Sequence, residues 1–409
     1  MNVPQLRFSG FEGEWETKNL NEFLEFKNGI NADKDSYGYG TKFINVLDIL
    51  NNDFIDSNKI IGSVNASEQQ LKTYSVTYGD ILFLRSSETR EDVGKCNVYL
   101  DQEKPAVFGG FVIRGKKIAE YEPFFLKTLL NSSSARNQIS SKSGGSTRYN
   151  VSQNILSDVA IKIPNISEQE RIASFVILLD RKIQKQQEKI ERLEQFKKGM
   201  MQKVFSQELR FKDEDGGEFP EWEEILLKNI FNKYRETVFV KDDNYYEQIT
   251  ISKSGNISYR DTKVGSEIGR KRQFRVNLKK YPNTLTFIRQ GVFDGAIGFI
   301  PSKLDGSIVT ENMPLLELND LCNKEFFEQY LKTSLYYEQV IFPIKPTGSA
   351  QIALHEKDWL EQIVTLPHIN EQKRIADFLL NIDRKVDREK EKLVFLEEQK
   401  RGFTQRMFV

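Results

Sequence analysis

Arg85 and Arg289 each end a short apolar run, Ile81-Leu82-Phe83-Leu84 and Leu285-Thr286-Phe287-Ile288. Polar residues follow both: Ser86, Ser87, Glu88, Thr89 and Arg90 after the first, Gln290 and Gly291 after the second. An arginine or a glutamine at a strand end can make paired hydrogen bonds to the edge of a guanine or an adenine. Residues 123–157 contain no acidic side chain, yet carry Lys127, Arg136, Lys142 and Arg148 among many Ser, Asn, Gly and Thr. Around Gly144-Gly145-Ser146-Thr147 that composition offers cations and small donors to phosphate. Thr347, Ser349 and Gln351 surround a second Gly-Ser turn, and Arg270, Lys271, Arg272, Arg275, Lys279 and Lys280 form a basic cluster after Gly269. These are the candidate DNA contacts: Arg85, Ser86, Arg90, Arg136, Lys142, Ser146, Thr147 and Arg148 in the first half, with Arg270, Lys271, Arg272, Arg275, Arg289, Gln290, Thr347, Ser349 and Gln351 in the second. The plainer alternative for any one of them is a solvated surface loop.

Other chemistries find little support. The two histidines, His355 and His368, have no metal-compatible neighbours and read as structural or solvated. Gly110 to Lys117 approaches a phosphate-binding glycine loop, but Lys117 stands where a magnesium-binding Ser or Thr belongs, and the interior alternates like a strand. There is no Pro-Pro from which a base methyltransferase motif could be built, no Gly-x-Gly-x-x-Gly turn and no Ser-His-Asp ordering. Catalysis by this chain is therefore not expected, nor a metal or cofactor of its own. Lys plus Arg equals Asp plus Glu at 59 each, which argues against nonspecific coating of DNA but leaves room for local basic surfaces. Two cysteines, Cys96 and Cys322, make no disulfide framework and fit a reducing, cytoplasmic setting. No apolar run approaches the ~18–20 residues of a membrane span, and no export signal is evident.

The elements that must position these residues are duplicated. Residues 163–205 align without a gap on 366–408, an offset of 366 − 163 = 203, and 19 of 43 positions are identical. Leu6-Arg7-Phe8 returns as Leu209-Arg210-Phe211, and Glu14-Trp15 as Glu221-Trp222. Each half reads as a Trp-led opening, short strands, a helix (from Glu122 or Lys324), a Gly-Ser turn, a last strand and a long helix. The class is α+β, two β-rich domains and two long helices. Pro164 and Pro367 precede the helices; Ser167 with Glu170 spells a capping box, and Asn370 reads as the second cap. Glu168-Gln169 and Glu371-Gln372 read either as a duplicated functional pair or, more plainly, as carboxylates suited to a helix N-terminus.

Both helices carry heptads. Ile172, Val176, Leu179, Ile183, Gln186, Ile190, Leu193 and Lys197 form one seam, continuing to Met200 and Val204; Ile375, Leu379, Ile382, Val386, Glu389, Leu393, Leu396 and Lys400 form the other, continuing to Phe403 and Met407. A strict seven-residue period predicts a left-handed coiled coil. Antiparallel pairing about a pseudo-two-fold sets Lys197 opposite Glu389 and Lys400 opposite Gln186. About 38 helical residues span about 57 Å, more than the ~34–36 Å of one DNA turn. Two readers on such a spacer suit a split DNA target.

Two variable Trp-led domains, each ending in a Gly-Ser turn, a Pro-x-Ile-x-Glu-Gln helix start with Arg171-Ile172 or Arg374-Ile375, and a long heptad helix, resemble the specificity (S) subunit of type I restriction–modification enzymes. The resemblance implies target recognition domains at 1–162 and 206–365 and spacer helices at 163–205 and 366–409. It implies double-stranded DNA, two methyltransferase subunits and two restriction subunits as partners. S-adenosylmethionine, ATP and magnesium would belong to those partners. A duplicated coiled-coil transcription regulator and a nonenzymatic coiled-coil scaffold are the rival readings.

Overall fold

The computed structural model describes residues 3–145, 148–345 and 353–408. The chain forms two compact units, residues 1–189 with 390–409, and residues 190–389. The division falls inside both long helices, Ile166–Phe205 and Ile369–Met407. Each unit therefore holds one β-rich domain, the start of one long helix and the end of the other.

In the first unit an antiparallel sheet runs in the order Leu24–Asn28, Val112–Lys117, Ile81–Leu84, Cys96–Val98. Ile81–Leu84 is buried along its whole length, which is why its sequence is an unbroken apolar run. Val112–Lys117, the stretch resembling a phosphate loop, is an interior strand with its first four residues buried. The second unit repeats this sheet as Phe231–Tyr234, Leu315–Leu318, Thr284–Phe287, Ile297–Phe299. What lies beside it differs. The first unit adds a three-stranded sheet with Tyr37–Ile44 at its centre, and the second a five-stranded sheet containing the hairpin Tyr245–Ile251 and Ile257–Val264. The residues after each tryptophan pair with the last strand before the long helix, Glu16 with Ile163 and Glu223 with Leu366.

The helix starts differ from the capping expected at Ser167 and Asn370. Asn165 Oδ1 accepts the Glu168 N–H at 3.0 Å, and His368 Nδ1 accepts the Asn370 N–H at 3.4 Å. Both caps directly follow the proline that ends the strand, so the helices begin earlier than a Ser-x-x-Glu signature suggests. His368 thus has a structural part, and its ring stacks on Phe219.

The Glu-Gln pairs do more than suit the charge of a helix N-terminus. Glu168 is 1% exposed and receives Arg7 Nε and Nη2 at 2.8 and 2.7 Å. Glu371 is fully buried and receives Arg210 Nε and Nη2, both at 2.9 Å. Gln169 accepts the Glu122 N–H at 3.0 Å and donates to the Pro164 carbonyl at 2.8 Å. Gln372 treats Asn323 and Pro367 in the same way, at 2.7 and 2.9 Å. Each pair therefore fastens the opening segment and the start of a domain helix to the foot of the long helix. The fork geometry of arginine makes such a pair bidentate.

Aromatic rings complete each unit. Phe408 meets Trp15 and Phe125 at 6.4 and 5.5 Å, and Phe205 meets Phe326 at 5.5 Å, beside Trp222. The Leu6 N–H donates to the Arg406 carbonyl and the Leu209 N–H to the Lys203 carbonyl, both at 2.9 Å. The contact made across a covalent turn in the second unit is made in the first between segments far apart in sequence.

Seam residues are buried or half-buried throughout, from Ile172 and Val176 to Leu396 and Met407. The register differs from that expected. In the first unit Lys400 pairs with Asp180, and Phe403 stacks edge-on against Phe175 at 5.3 Å, an antiparallel arrangement. The partner of Lys400 lies 186 − 180 = 6 residues before Gln186. In the second unit Lys197 binds Asp383 at 2.6 Å, 389 − 383 = 6 residues before Glu389. Sliding a heptad pattern by about one repeat keeps every apolar position in phase, so the seam alone does not select the register. The acids beside the seam, Asp180 and Asp383, do.

Cys96 and Cys322 are buried, and burial pushes the Cys96 thiol up to about 12 and raises that of Cys322. A thiol-reactive chromophore at pH 8 should leave both unmodified in the native protein and react with both after unfolding. Rapid labelling of the native chain would contradict this packing.

Candidate nucleic-acid interface

In the first unit one edge gathers Arg85, Ser86, Arg90, Lys142 and Arg148. Ser86–Ser87 pairs antiparallel with Tyr149–Asn150, and the Ser86 hydroxyl bonds the Asn150 side chain. The Arg85 guanidinium donates to the Gly110 carbonyl at 3.1 Å, and its own carbonyl accepts the Val151 N–H at 3.0 Å. Arg90 reaches the Ser140 carbonyl at 3.1 Å and lies over the Tyr149 ring. Lys142 is exposed at the end of the helix Ser133–Lys142, and Arg148 is exposed 3.5 Å from Glu88. The turn depends on glycine: Gly145 has φ +138°, and a Cβ there would sit 1.8 Å from the Arg148 carbonyl. Ser146 and Thr147 lie outside the described residues.

Arg136 departs from the expected interface. Its guanidinium turns inward to the Val93 and Glu91 carbonyls at 2.6 and 3.0 Å, and burial lowers its pKa. It anchors the loop behind Arg90. Helical spacing alone could not show that residues 91–93 cross this face.

In the second unit Arg289 occupies the place of Arg85. Its carbonyl accepts the Leu354 N–H at 2.9 Å, as Arg85 does from Val151. The guanidinium is held by Glu356 at 2.5 Å, while Gln290 is exposed. The basic cluster divides. Arg270 is tied to Glu311 at 3.1 Å and Lys271 to Asp242 at 2.5 Å, whereas Arg272 and Arg275 project from the strand Arg272–Arg275. Thr347, Ser349 and Gln351 lie outside the described residues.

Beside each strand-ending arginine is a concave mouth. In the first unit it is lined by Asn28, Arg85, Lys142, Asn150 and Gln153 among others. In the second it is a cavity of about 190 Å³ lined by Lys233, Arg235, Arg289, Glu311 and Glu356 with Tyr234 and Phe274. Glu356 follows Gln153 by 203, and Arg235 follows Asn28 by 207, the interval separating Trp15 from Trp222. Lys233, Arg235, Glu356, Asn28 and Gln153 were not singled out from sequence. The tryptophan interval sets Lys233 and Arg235 against Phe26 and Asn28 but does not by itself mark either pair as a site.

Among the described residues no group of three or more His, Cys, Asp or Glu is placed to hold a metal, and no helix is long and apolar enough to cross a membrane.

Comparison with known proteins agrees with this duplicated arrangement. The family model for the type I restriction modification DNA specificity domain matches residues 12–195 and again 220–398. A protein of Methanocaldococcus jannaschii assigned as the specificity subunit of the type I restriction enzyme MjaX is 26% identical, covering 96% of this chain and 93% of its own. The MjaVIII specificity subunit from the same organism is 25% identical over 62% of this chain and 63% of its own. Among solved structures, a type I restriction–modification S subunit from M. genitalium aligns over 100% of this chain and 99% of its own, at 15% identity and a TM-score of 0.54. A chain from a structural study of type I complex assembly and conformational transition covers 96% and 97%, at 16% identity and a TM-score of 0.58. At such identities the structures speak for the fold.

Proposed function

The chain belongs to the type I restriction modification DNA specificity family, and on that premise we propose that it reads a bipartite, asymmetric DNA target, one part with each recognition domain. The observation that carries this is the pair of equivalently built mouths with unlike linings, amide-rich beside Arg85 and charged beside Arg289. One scaffold used twice with different side chains supports two different half-sites. Arg85, Ser86, Arg90, Lys142 and Arg148, with Arg272, Arg275, Arg289 and Gln290, are the proposed contacts within the described residues. Phosphate contacts would position the duplex and base-edge contacts would specify it.

In this reading the long helices set the spacing and dock two methyltransferase subunits. Leu178, Phe196, Val394 and Phe395 stand exposed on them and offer apolar surface for docking. Two restriction subunits complete the assembly. S-adenosylmethionine, ATP and magnesium act on those partners, and the complex works in the cytoplasm. The family match does not favour the regulator or scaffold readings.

Methylation sequencing of DNA from cells carrying this chain with its methyltransferase should return one motif of two unlike parts separated by a fixed gap. A contiguous motif, or none, would overturn the proposal. Deleting one heptad, residues 188–194, should change or abolish the gap and leave both half-sites intact; altered half-sites would remove the spacing role from the helices.

A further inference from the structure

We propose that the mouth beside Arg289 is an oxyanion site that takes a backbone phosphate of the DNA target, through Lys233 and Arg235, with Glu356 as the residue that positions them. Glu356 is 8% exposed. Its Oε1 faces Lys233 Nζ and Arg235 Nη2, the latter at 3.8 Å, and its Oε2 holds Arg289 Nη2 at 2.5 Å. Three cations thus converge on one carboxylate. The other acid in the lining, Glu311, is engaged by Arg270 at 3.1 Å. The lining therefore sets three cations against two carboxylates, a formal excess of one positive charge, and one of those carboxylates is also neutralised from outside by Arg270.

Like charges held together and partly withdrawn from water are costly unless an anion joins them. The cost shows in the site itself. Burial, then Arg235 and Arg289, lower the pKa of Lys233, and the buried Nε of Arg289 lacks a hydrogen-bond partner. Arg235 is the accessible member, its side chain 54% exposed above the Phe274 ring. A tetrahedral oxyanion entering past Arg235 would meet an open guanidinium and the Lys233 ammonium, and charge-assisted bonds of this kind are strong. A cavity of about 190 Å³ admits a phosphate group. It does not suit a whole nucleotide, since such pockets run to ~300–1,000 Å³. At the equivalent positions of the first unit, Phe26, Asn28 and Gln153 stand where Lys233, Arg235 and Glu356 do.

The inference rests on the DNA-recognition reading, and the test separates the two. The full chain in complex with its methyltransferase is titrated with a duplex carrying the sequenced target, over a salt series. Arg235→Gln should weaken binding equally for every single-base variant of the target and flatten the log–log salt dependence by about 0.9, the amount for one phosphate. Lys233→Gln should do the same, and Lys233→Arg, which keeps the charge, should restore the slope. An unchanged slope in both glutamine variants overturns the site, as does an altered preference at one base pair, which would make Arg235 a base reader. Binding of inorganic phosphate to the full chain, abolished by Arg235→Gln, together with no duplex binding by the wild-type complex, would support the oxyanion site while overturning DNA as its source. Loss of both in the wild-type protein would overturn both.

Discussion

Arg210→Ala should lower the stability of the second unit by about 3 kcal/mol, the low end of what removing one partner of a buried ion pair costs. The carboxylate left behind, Glu371, has no solvent exposure, and both of its oxygens are bonded to the arginine fork. The foot of the helix Ile369–Met407 offsets part of the loss, because the charge sits near a helix N-terminus. The guanidinium also holds the carbonyls of Phe219 and Pro220, at 3.3 and 2.6 Å, so the turn before Trp222 should loosen as well. Arg210→Lys, which restores the charge without the fork, should recover only part of the stability. Arg7→Ala should do the same to the first unit, where Glu168 is 1% exposed. Denaturant unfolding followed by hydrogen exchange resolves the two units. A loss under about 0.5 kcal/mol would place the pair among ordinary surface contacts.

Phe408→Ala should destabilise the first unit by about 3 kcal/mol, a cost typical of emptying the space of a buried phenyl ring. Phe408 is 8% exposed and fills the gap between Trp15 and Phe125, although about four hundred residues of sequence separate it from the tryptophan. The equivalent change, Phe205→Ala, should act on the second unit, where that ring packs on Phe326 and Tyr330. The informative outcome is the crossing of effects. Amides around Trp15 should exchange faster in Phe408→Ala and those around Trp222 in Phe205→Ala. Protection around Trp15 unaltered by loss of the Phe408 ring would mean that the end of the second long helix is dispensable for the first core. Double replacement should be nearly additive, because the two rings belong to separate cores.

The sequence by itself determined the duplication, the α+β class, the two long helices and the equivalence of Arg85 with Arg289. Each is written in local terms: an alignment at constant offset, a seven-residue period, an apolar run ending in arginine. It also supplied a shortlist of basic loop residues, several of which the fold gathers on one edge. Tertiary structure decided what those signals leave degenerate. A heptad pattern repeats itself after seven residues, so Lys400 could be assigned to Asp180 only once flanking acids were in place. A glutamate in a first helical turn looks the same whether solvated or buried, and the partner of Glu168 is 161 residues away. Arg136 and Arg90 are both basic residues of the same half and both bond backbone carbonyls, yet burial withdraws Arg136 while Arg90 stays exposed. The charged mouth was hidden most completely, because Lys233, Arg289 and Glu356 come from three distant segments. Long-range charge pairing has no period along the chain; only the packed fold brings those segments together.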